Sequence, residues 1–256
     1  MALAQSTETT TTTTASDASS VVPAYMHLSE SLKAHAAALH KAPLIPLSFI
    51  QNEITQEISV KELTDQTTNL QQLLQLPEMA GSIVFAVRRP GWFLCREHGQ
   101  QLSQLVRSAN NDESKNWNIL GLVKETGVDD AGLVEFYEDY FTFPLYKDAD
   151  LQSYQALGNT WIRLLPSWNP LTIYQNFRAM KERTDAANVT GNLKGEGLVQ
   201  GGILLYNAQG ELHYAYKEDT GQALQMDDIQ AAMKAIVMMK QQQQQENEST
   251  SPKQEL

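Results

Sequence analysis

The sequence has very little cysteine and no long apolar run. Cys95 is the single cysteine among 256 residues, which excludes a disulfide within the chain and a cysteine-rich zinc cluster. No stretch approaches the ~18 consecutive apolar residues that are needed to cross a bilayer, so we expect no membrane span. The five histidines show no HExxH-type spacing, so the sequence predicts neither a metal site nor a bound cofactor.

Positive charge is also scarce. The chain has 19 Lys and Arg residues against 30 Asp and Glu residues, a net charge of −11, and such a surface repels the phosphates of nucleic acids. Residues 1–26 contain no arginine and no apolar stretch of the kind found in a secretory signal. Together with the single cysteine, these features predict a cytoplasmic protein with no nucleic-acid partner. The oligomeric state is left open.

Composition divides the chain into four parts. Residues 1–26 are Thr-rich and residues 241–256 begin with a glutamine run, and both are predicted to be disordered tails. A glutamine run can also extend a helix or promote association, and these alternatives stay open. Residues 27–78 are predicted to be a helical N-terminal extension, and residues 79–240 carry the compact domain. Two helices are predicted within the extension, at Leu28–His40 and Val60–Leu76.

Within residues 79–240, short apolar runs alternate with segments of helical period. Two strands separated by a helix are followed by a terminal hairpin, which Ala208-Gln209-Gly210 marks as a turn. The order βαβα and then ββα predicts an α/β, thioredoxin-like fold with a central mixed sheet flanked by helices. The predicted strands are 83–87, 117–123, 202–207 and 212–217, and the predicted helices are 93–110, 132–140, 173–183 and 229–239.

Three segments of this domain resemble a known family. VRRPGWFLCRE begins at Val87, GLVEFYEDYF begins at Gly132, and TGNLKGEGLVQGGILLYN begins at Thr190. From Met79 to Ile236, the chain resembles the peroxiredoxin-like proteins related to selenoprotein U. These proteins belong to the AhpC/TSA group, whose fold is thioredoxin-like.

The resemblance implies a redox-regulatory or antioxidant function, with a small-molecule peroxide or a lipid-like compound as substrate. It implies a pair, C-x-x-C or selenocysteine-x-x-C, at the start of a helix, and these two positions fall on Trp92 and Cys95. Trp92 cannot act as a nucleophile or form a disulfide, so a two-thiol cycle is not available within one chain. The resemblance also implies a peroxide-binding arginine just before strand 202–207, where this chain has Gly201.

A catalytic hypothesis assigns the chemistry to Cys95, in the first turn of the predicted helix. The helix dipole and nearby arginines lower a thiol pKa to roughly 3.5–7.5 in such settings. The thiolate attacks a peroxide, Arg88 or Arg89 stabilises the developing charge, and an external thiol such as glutathione or thioredoxin reduces the sulfenic acid. The accessory candidates are Trp92, Arg96, His98 as a proton acceptor, and Glu196 as a partner of nearby arginines or amides.

A non-catalytic hypothesis treats the same cysteine as part of the core. Cys95, Leu102, Val106 and Ala109 recur at helical spacing, which places the thiol on the buried side of the helix. The protein is then an inactive thioredoxin-fold protein that acts as a binding or regulatory module, with Trp92 either filling space or stacking on an apolar ligand. Exposure of the Cys95 sulfur discriminates between the two hypotheses.

Overall fold

The strands of the described residues form one mixed sheet. The computed structural model describes residues 28, 32, 34, 38–53, 55–111, 116–157, 170–218 and 221–250, so the predicted tail at 1–26 lies outside them. The strand order across the sheet is β2-β1-β6-β5-β4-β7-β8, and β3 pairs with β1. The strands are β1 Pro43–Gln51, β2 Ile58–Glu62, β3 Thr68–Asn69, β4 Gly81–Ala86, β5 Trp117–Val123, β6 Leu145–Lys147, β7 Gly202–Asn207 and β8 Leu212–Lys217.

The centre of the sheet has the predicted thioredoxin-like topology. β4, β5 and β6 run parallel, β7 is antiparallel to β4, and β8 is antiparallel to β7. All six residues of β4 are buried, as expected for a central strand with helices on both faces. The predicted fold and the terminal hairpin are therefore confirmed.

Six α-helices flank the sheet within the described residues. The helix Phe93–Ala109, α2, begins directly after the turn that follows β4, and it ends one residue before its predicted end. The predicted helix 132–140 is α-helical only in its first part and continues as a π-helical turn at Phe136–Tyr140. The helices are α1 Leu70–Leu74, α2 Phe93–Ala109, α3 Asp130–Glu135, α4 Gln152–Ala156, α5 Pro170–Ala186 and α6 Met226–Thr250.

The prediction that residues 27–78 are helical is wrong for most of the extension. β1, β2 and β3 lie here, and β1 joins the sheet by pairing with β6. Pro46 is tolerated because it lies where β1 changes partners, at the end of its pairing with β6 and just before its pairing with β2 begins. Of the predicted helix Leu28–His40, most residues lie outside those described, but Leu32, Ala34, Ala38 and Leu39 are helical.

The predicted helix Val60–Leu76 is reduced to the five residues of α1. Thr64, Thr67 and Thr68 interrupt it, because threonine is a weak helix former. The helix begins only after Asn69, which caps it: the Asn69 side chain accepts a hydrogen bond from the backbone N–H of Gln72 at 3.0 Å. The leucines of the segment therefore pack from a short helix rather than a long one.

The predicted disordered tail at 241–256 is also wrong in its first part. α6 continues through the glutamine run to Thr250, and glutamine is a good helix former. The Lys240 ammonium ties this helix to the start of β4 by donating to the carbonyl oxygens of Pro77 at 2.9 Å and Met79 at 2.6 Å. No helix among the described residues has both the length and the apolar character to cross a membrane, and the cytoplasmic location stays a prediction.

Candidate active site

Cys95 lies in the first turn of α2, with no part of its side chain exposed to solvent. It belongs to the main hydrophobic cluster, together with Leu102 and Val106 of the same helix. The predicted placement on the buried side of the helix is therefore confirmed. Trp92 lies in the same cluster and is only 4% exposed, so it is not a stacking platform open to an apolar ligand.

The surroundings of Cys95 disfavour a thiolate. Burial raises the pKa of the Cys95 thiol to about 12, and the Glu218 carboxylate adds to the increase. The backbone N–H groups of Arg89 and Arg88 and the Arg88 guanidinium act in the opposite direction, but they do not offset the burial. The lowered pKa expected from the helix dipole and the arginines is therefore not found, because loss of hydration outweighs the local positive charge.

Arg88 and Arg89 lie over the ring of Trp92. The guanidinium carbon is 4.4 Å from the ring centroid for Arg88 and 5.2 Å for Arg89, within the range of a cation–π interaction. Burial, and then the charge of Arg88, lower the pKa of Arg89. The indole thus occupies the position of the first thiol in the resemblance and holds both arginines beside it.

Arg88 is also paired with a buried carboxylate that the sequence analysis missed. Its Nη1 lies 3.8 Å from Oε1 of Glu218, and both side chains are buried. Burial raises the pKa of Glu218, although Arg88 and the backbone N–H of Gly201 act against the increase. Glu218 directly follows the predicted strand 212–217, but nothing in the sequence marks it as buried.

Gly201 has no room for the arginine that the resemblance places there. A Cβ atom on Gly201 would overlap the carbonyl oxygen of Ala86 and would lie 3.0 Å from the backbone nitrogen of Arg88. It would also lie 3.2 Å from the Glu218 carboxylate. The place where a cationic side chain binds peroxide in the resemblance therefore adjoins a buried acid in this chain.

Arg96 holds segments of the chain together rather than facing Cys95. Its guanidinium donates to the carbonyl oxygens of Pro90 at 3.1 Å and Thr190 at 3.0 Å, and to Oε2 of Glu135 at 2.6 Å. The hydrogen bond from Arg96 is the main cause that lowers the pKa of Glu135. Arg96 is 1% exposed. Its partners Glu135 and Thr190 were not predicted because they lie 39 and 94 residues away in the sequence.

His98, which is predicted to be an accessory proton acceptor, is buried. Burial lowers the pKa of His98 to about 4, and a hydrogen bond with the backbone of Gln222 only partly opposes this. The ring is therefore neutral at physiological pH. Its Nε2 has no hydrogen-bond partner within the described residues.

Glu196 has the kind of partners that were predicted, with a lysine in place of the arginines. Its carboxylate accepts from the backbone N–H groups of Leu198 and Val199 and pairs with the Lys124 ammonium. Burial acts to raise the pKa of Glu196, but Lys124 and these N–H groups lower it below its usual value. Glu196 therefore fixes a loop, and the structure shows no contact between it and Cys95.

Comparisons with known proteins agree with the fold. The family model described as AhpC/TSA antioxidant enzyme matches residues 104–220. Prostamide/prostaglandin F synthase of Aquarana catesbeiana is 31% identical over 156 residues, which are 59% of this chain and 73% of that protein. Peroxiredoxin-like 2A of Xenopus laevis is 30% identical over 161 residues, covering 62% of this chain and 66% of that one.

A solved structure gives a more distant likeness. The bacterioferritin comigratory protein of Xanthomonas campestris is 15% identical, with a TM-score of 0.46, over 78% of this chain and 95% of that one. The link to selenoprotein U stays a prediction. On the sequence relatives and the sheet topology described above, the chain belongs to the peroxiredoxin-like family of thioredoxin-fold proteins.

Proposed function

We propose that this chain is a member of the AhpC/TSA group that no longer reduces peroxides and that acts as a binding or regulatory module. The observation that carries the proposal is the burial of Cys95, the single thiol of the chain, with a pKa raised to about 12. A thiol attacks peroxide as the thiolate, and a buried thiol with a raised pKa supplies almost none at neutral pH.

The residues around Cys95 support the same proposal. Glu218 brings negative charge close to the sulfur, and this charge opposes both the thiolate and an anionic leaving group. Trp92 fills the position of the first thiol and is covered by Arg88 and Arg89. The arginines are therefore engaged with the indole, and Arg88 also with Glu218.

A surface suited to binding lies on α5. Leu171, Tyr174 and Phe177 follow one another at intervals of three residues, and each is more than half exposed. A contiguous group of large exposed apolar side chains is typical of a surface that binds another molecule. This surface supports a binding function that does not depend on Cys95.

The experiment is a peroxidase assay of the full-length protein. Hydrogen peroxide and a lipid hydroperoxide are offered in turn, with glutathione, thioredoxin or dithiothreitol as reductant, and the Cys95→Ser variant serves as the control. We expect the wild-type protein and the variant to consume peroxide at the same rate as buffer. Peroxide consumption that the variant abolishes would contradict the proposal.

One observation favours a second candidate, a one-cysteine peroxidase. The backbone N–H groups of Arg88 and Arg89 are directed at the Cys95 sulfur, and both they and the Arg88 guanidinium stabilise its thiolate. In that reaction a bond forms between sulfur and one peroxide oxygen, the O–O bond breaks, and the leaving alkoxide takes a proton. Two external thiols then reduce the sulfenic acid, which releases water and a disulfide.

The name of the relative from Aquarana catesbeiana, prostamide/prostaglandin F synthase, supports a lipid-like peroxide as the substrate class for this second candidate. Activity with the lipid hydroperoxide alone, lost in Cys95→Ser, would establish it. Activity with neither peroxide supports the binding or regulatory module.

A further inference from the structure

Residues 188–199, which we call the strap, contact the N-terminal end of α2 at the residues on either side of Trp92. The backbone N–H of Asn192 donates to the carbonyl oxygen of Gly91 at 2.6 Å. A Cβ atom on Gly191 would lie only 2.6 Å from the backbone nitrogen of Phe93. The strap is therefore in direct backbone contact with Gly91 and Phe93, the two neighbours of Trp92.

The strap is fastened mainly through its backbone carbonyl groups. Three arginines of the α2 region each donate to a different carbonyl oxygen along it. The contacts are Arg96 to Thr190 at 3.0 Å, Arg89 to Leu193 at 2.8 Å, and Arg88 Nε to Gly197 at 2.7 Å. The strap is thus held at both ends and in the middle by cations that also surround the site.

Two residues of the strap add ion pairs to these contacts. Nζ of Lys194 lies 3.9 Å from Oδ1 of Asp129, and Glu196 makes the second pair. The Glu196 carboxylate pairs with Lys124, and the backbone N–H of Glu196 donates to Oε1 of Glu125 at 2.9 Å. Lys124 is 6% exposed in its side chain and Glu196 is 38% exposed. Glu196 therefore joins the strap to the segment that follows β5.

The middle of the strap buries little apolar surface. Leu193 is 68% exposed and Leu198 is 45% exposed, whereas Val189 at one end belongs to the main hydrophobic cluster and Val199 at the other end packs against the second cluster. A segment held by polar contacts, with its leucines in solvent, lies at the low-stability end of a structure. The free energy of opening the strap is therefore smaller than that of unfolding the domain.

Both ends of the strap are anchored. At the start, Asn188 has a left-handed conformation with φ of 52°, and the N–H of Val189 donates to the carbonyl oxygen of Thr184 at 2.9 Å. After the end, Gly201 is packed against the carbonyl oxygen of Ala86 and adjoins β7. Residues 190–198 are therefore able to move away while α5 and β7 stay in place.

We propose that the strap is a latch that opens locally and controls access to Trp92 and Cys95 while the domain stays folded. The three arginine contacts and the Glu196–Lys124 pair hold it closed. Opening exposes the sulfur and the indole and frees the groups of Arg88 and Arg89 that now bind carbonyl oxygens. This inference goes beyond the proposed function, because it holds whether or not Cys95 reacts with peroxide.

The test measures the rate at which iodoacetamide alkylates Cys95 in the full-length protein at increasing urea concentrations. Local opening exposes little surface, so we expect the rate to be nearly independent of urea below the unfolding transition. We expect Glu196→Gln to raise this rate by about tenfold or more, since a charge-assisted contact of the closed state is lost. The matched control is Glu182→Gln, which removes the same charge from the exposed pair with Arg178.

Circular dichroism of each variant at the same urea concentrations separates local opening from global unfolding. If Glu196→Gln unfolds too early for this comparison, Arg89→Gln removes the contact with Leu193 instead, and hydrogen exchange of residues 190–198 is compared with that of α2. Faster exchange in the strap alone supports the latch. Alkylation that follows global unfolding in every variant, or that rises equally in Glu182→Gln, overturns it.

Discussion

The guanidinium carbon of Arg88 lies 4.4 Å from the ring centroid of Trp92, while the same side chain pairs with the buried Glu218. One arginine therefore joins the indole, at the position where the resemblance places the first thiol, to a carboxylate that adds to the raised pKa of Cys95. Arg88 and Arg89 together still supply positive charge beside position 92.

A thiol at position 92 is therefore predicted to be reactive. In a Cys95→Ser background, we expect the cysteine of Trp92→Cys to ionise at least ~1 pH unit below a cysteine introduced by Glu182→Cys on the exposed side of α5, because of the helix N-terminus and the two arginines. The measurement is the pH dependence of alkylation by iodoacetamide. Removal of the indole also costs about 3 kcal/mol of unfolding free energy.

The comparison of the Trp92→Cys and Glu182→Cys thiols can also contradict this prediction. If the thiol of Trp92→Cys ionises at or above the pH of the Glu182→Cys thiol, the arginines do not create a thiolate-favouring field at this position.

Arg96 is predicted to be a structural residue. We expect Arg96→Met to lower the free energy of unfolding by about 3 kcal/mol, because the carbonyl oxygens of Pro90 and Thr190 lose a charged donor. Arg178→Met, which removes an exposed cation of α5, is the control and is expected to change nothing measurable. Urea unfolding followed by circular dichroism makes the comparison, and equal stability of both variants would refute the structural assignment.

His98 is predicted to make stability depend on pH. Its pKa is about 4 in the folded protein and about 6.5 in an unfolded chain, so the unfolded state binds more protons between these values. The contribution of His98 to the free energy of unfolding is therefore fully present above pH ~6.5. It falls as the pH decreases toward ~4, by about 3 kcal/mol in total.

The difference between wild type and His98→Gln isolates this contribution, because the other titrating groups are common to both proteins. Unfolding free energies at several pH values between ~4 and ~7 give the measurement. Curves that stay parallel throughout would mean that His98 is protonated to the same extent in both states.

The end of α6 is predicted to be dispensable for stability. Truncation after Lys240 removes residues that are exposed through position 247, so we expect the free energy of unfolding to change by less than about 0.5 kcal/mol. Truncation after Lys234 also removes the buried Ile236 and is expected to cost about 2 kcal/mol or more. A large loss of unfolding free energy on truncation after Lys240 would show that the glutamine part of α6 packs on the domain.

Sequence reasoning succeeded where local patterns decide the structure. β5 was predicted at the observed residues, and α2 was predicted to within one residue, because apolar runs and helical spacing are local properties. The extension failed, since the strand character of Pro43–Gln51 depends on partners in β2 and β6. The C-terminal helix was predicted at 229–239 but extends to Thr250, because composition alone does not separate a disordered glutamine run from a helix with an anchored start.

The candidate site was predicted less well than the fold. The position of Cys95 on the buried face follows from spacing, but the direction of its pKa shift depends first on its complete burial by the folded chain and then on Glu218, which lies 123 residues later in the chain. Likewise, the presence of three arginines near the thiol could be read from the sequence, whereas their bonds to the strap depend on where residues 190–197 fold back. Charges near one another in sequence do not reveal which groups they bind.

The pairing of β1 with β6 has a consequence for self-association. A thioredoxin-like core that ended at β6 would present unpaired backbone groups there, and such an edge accepts a strand from a second molecule. The N-terminal hairpin of β1 and β2 already occupies this position. Among the described strands, the edges of the sheet are then β2, β8 and the two-residue β3, so the extension changes which sides of the sheet are open to strand addition.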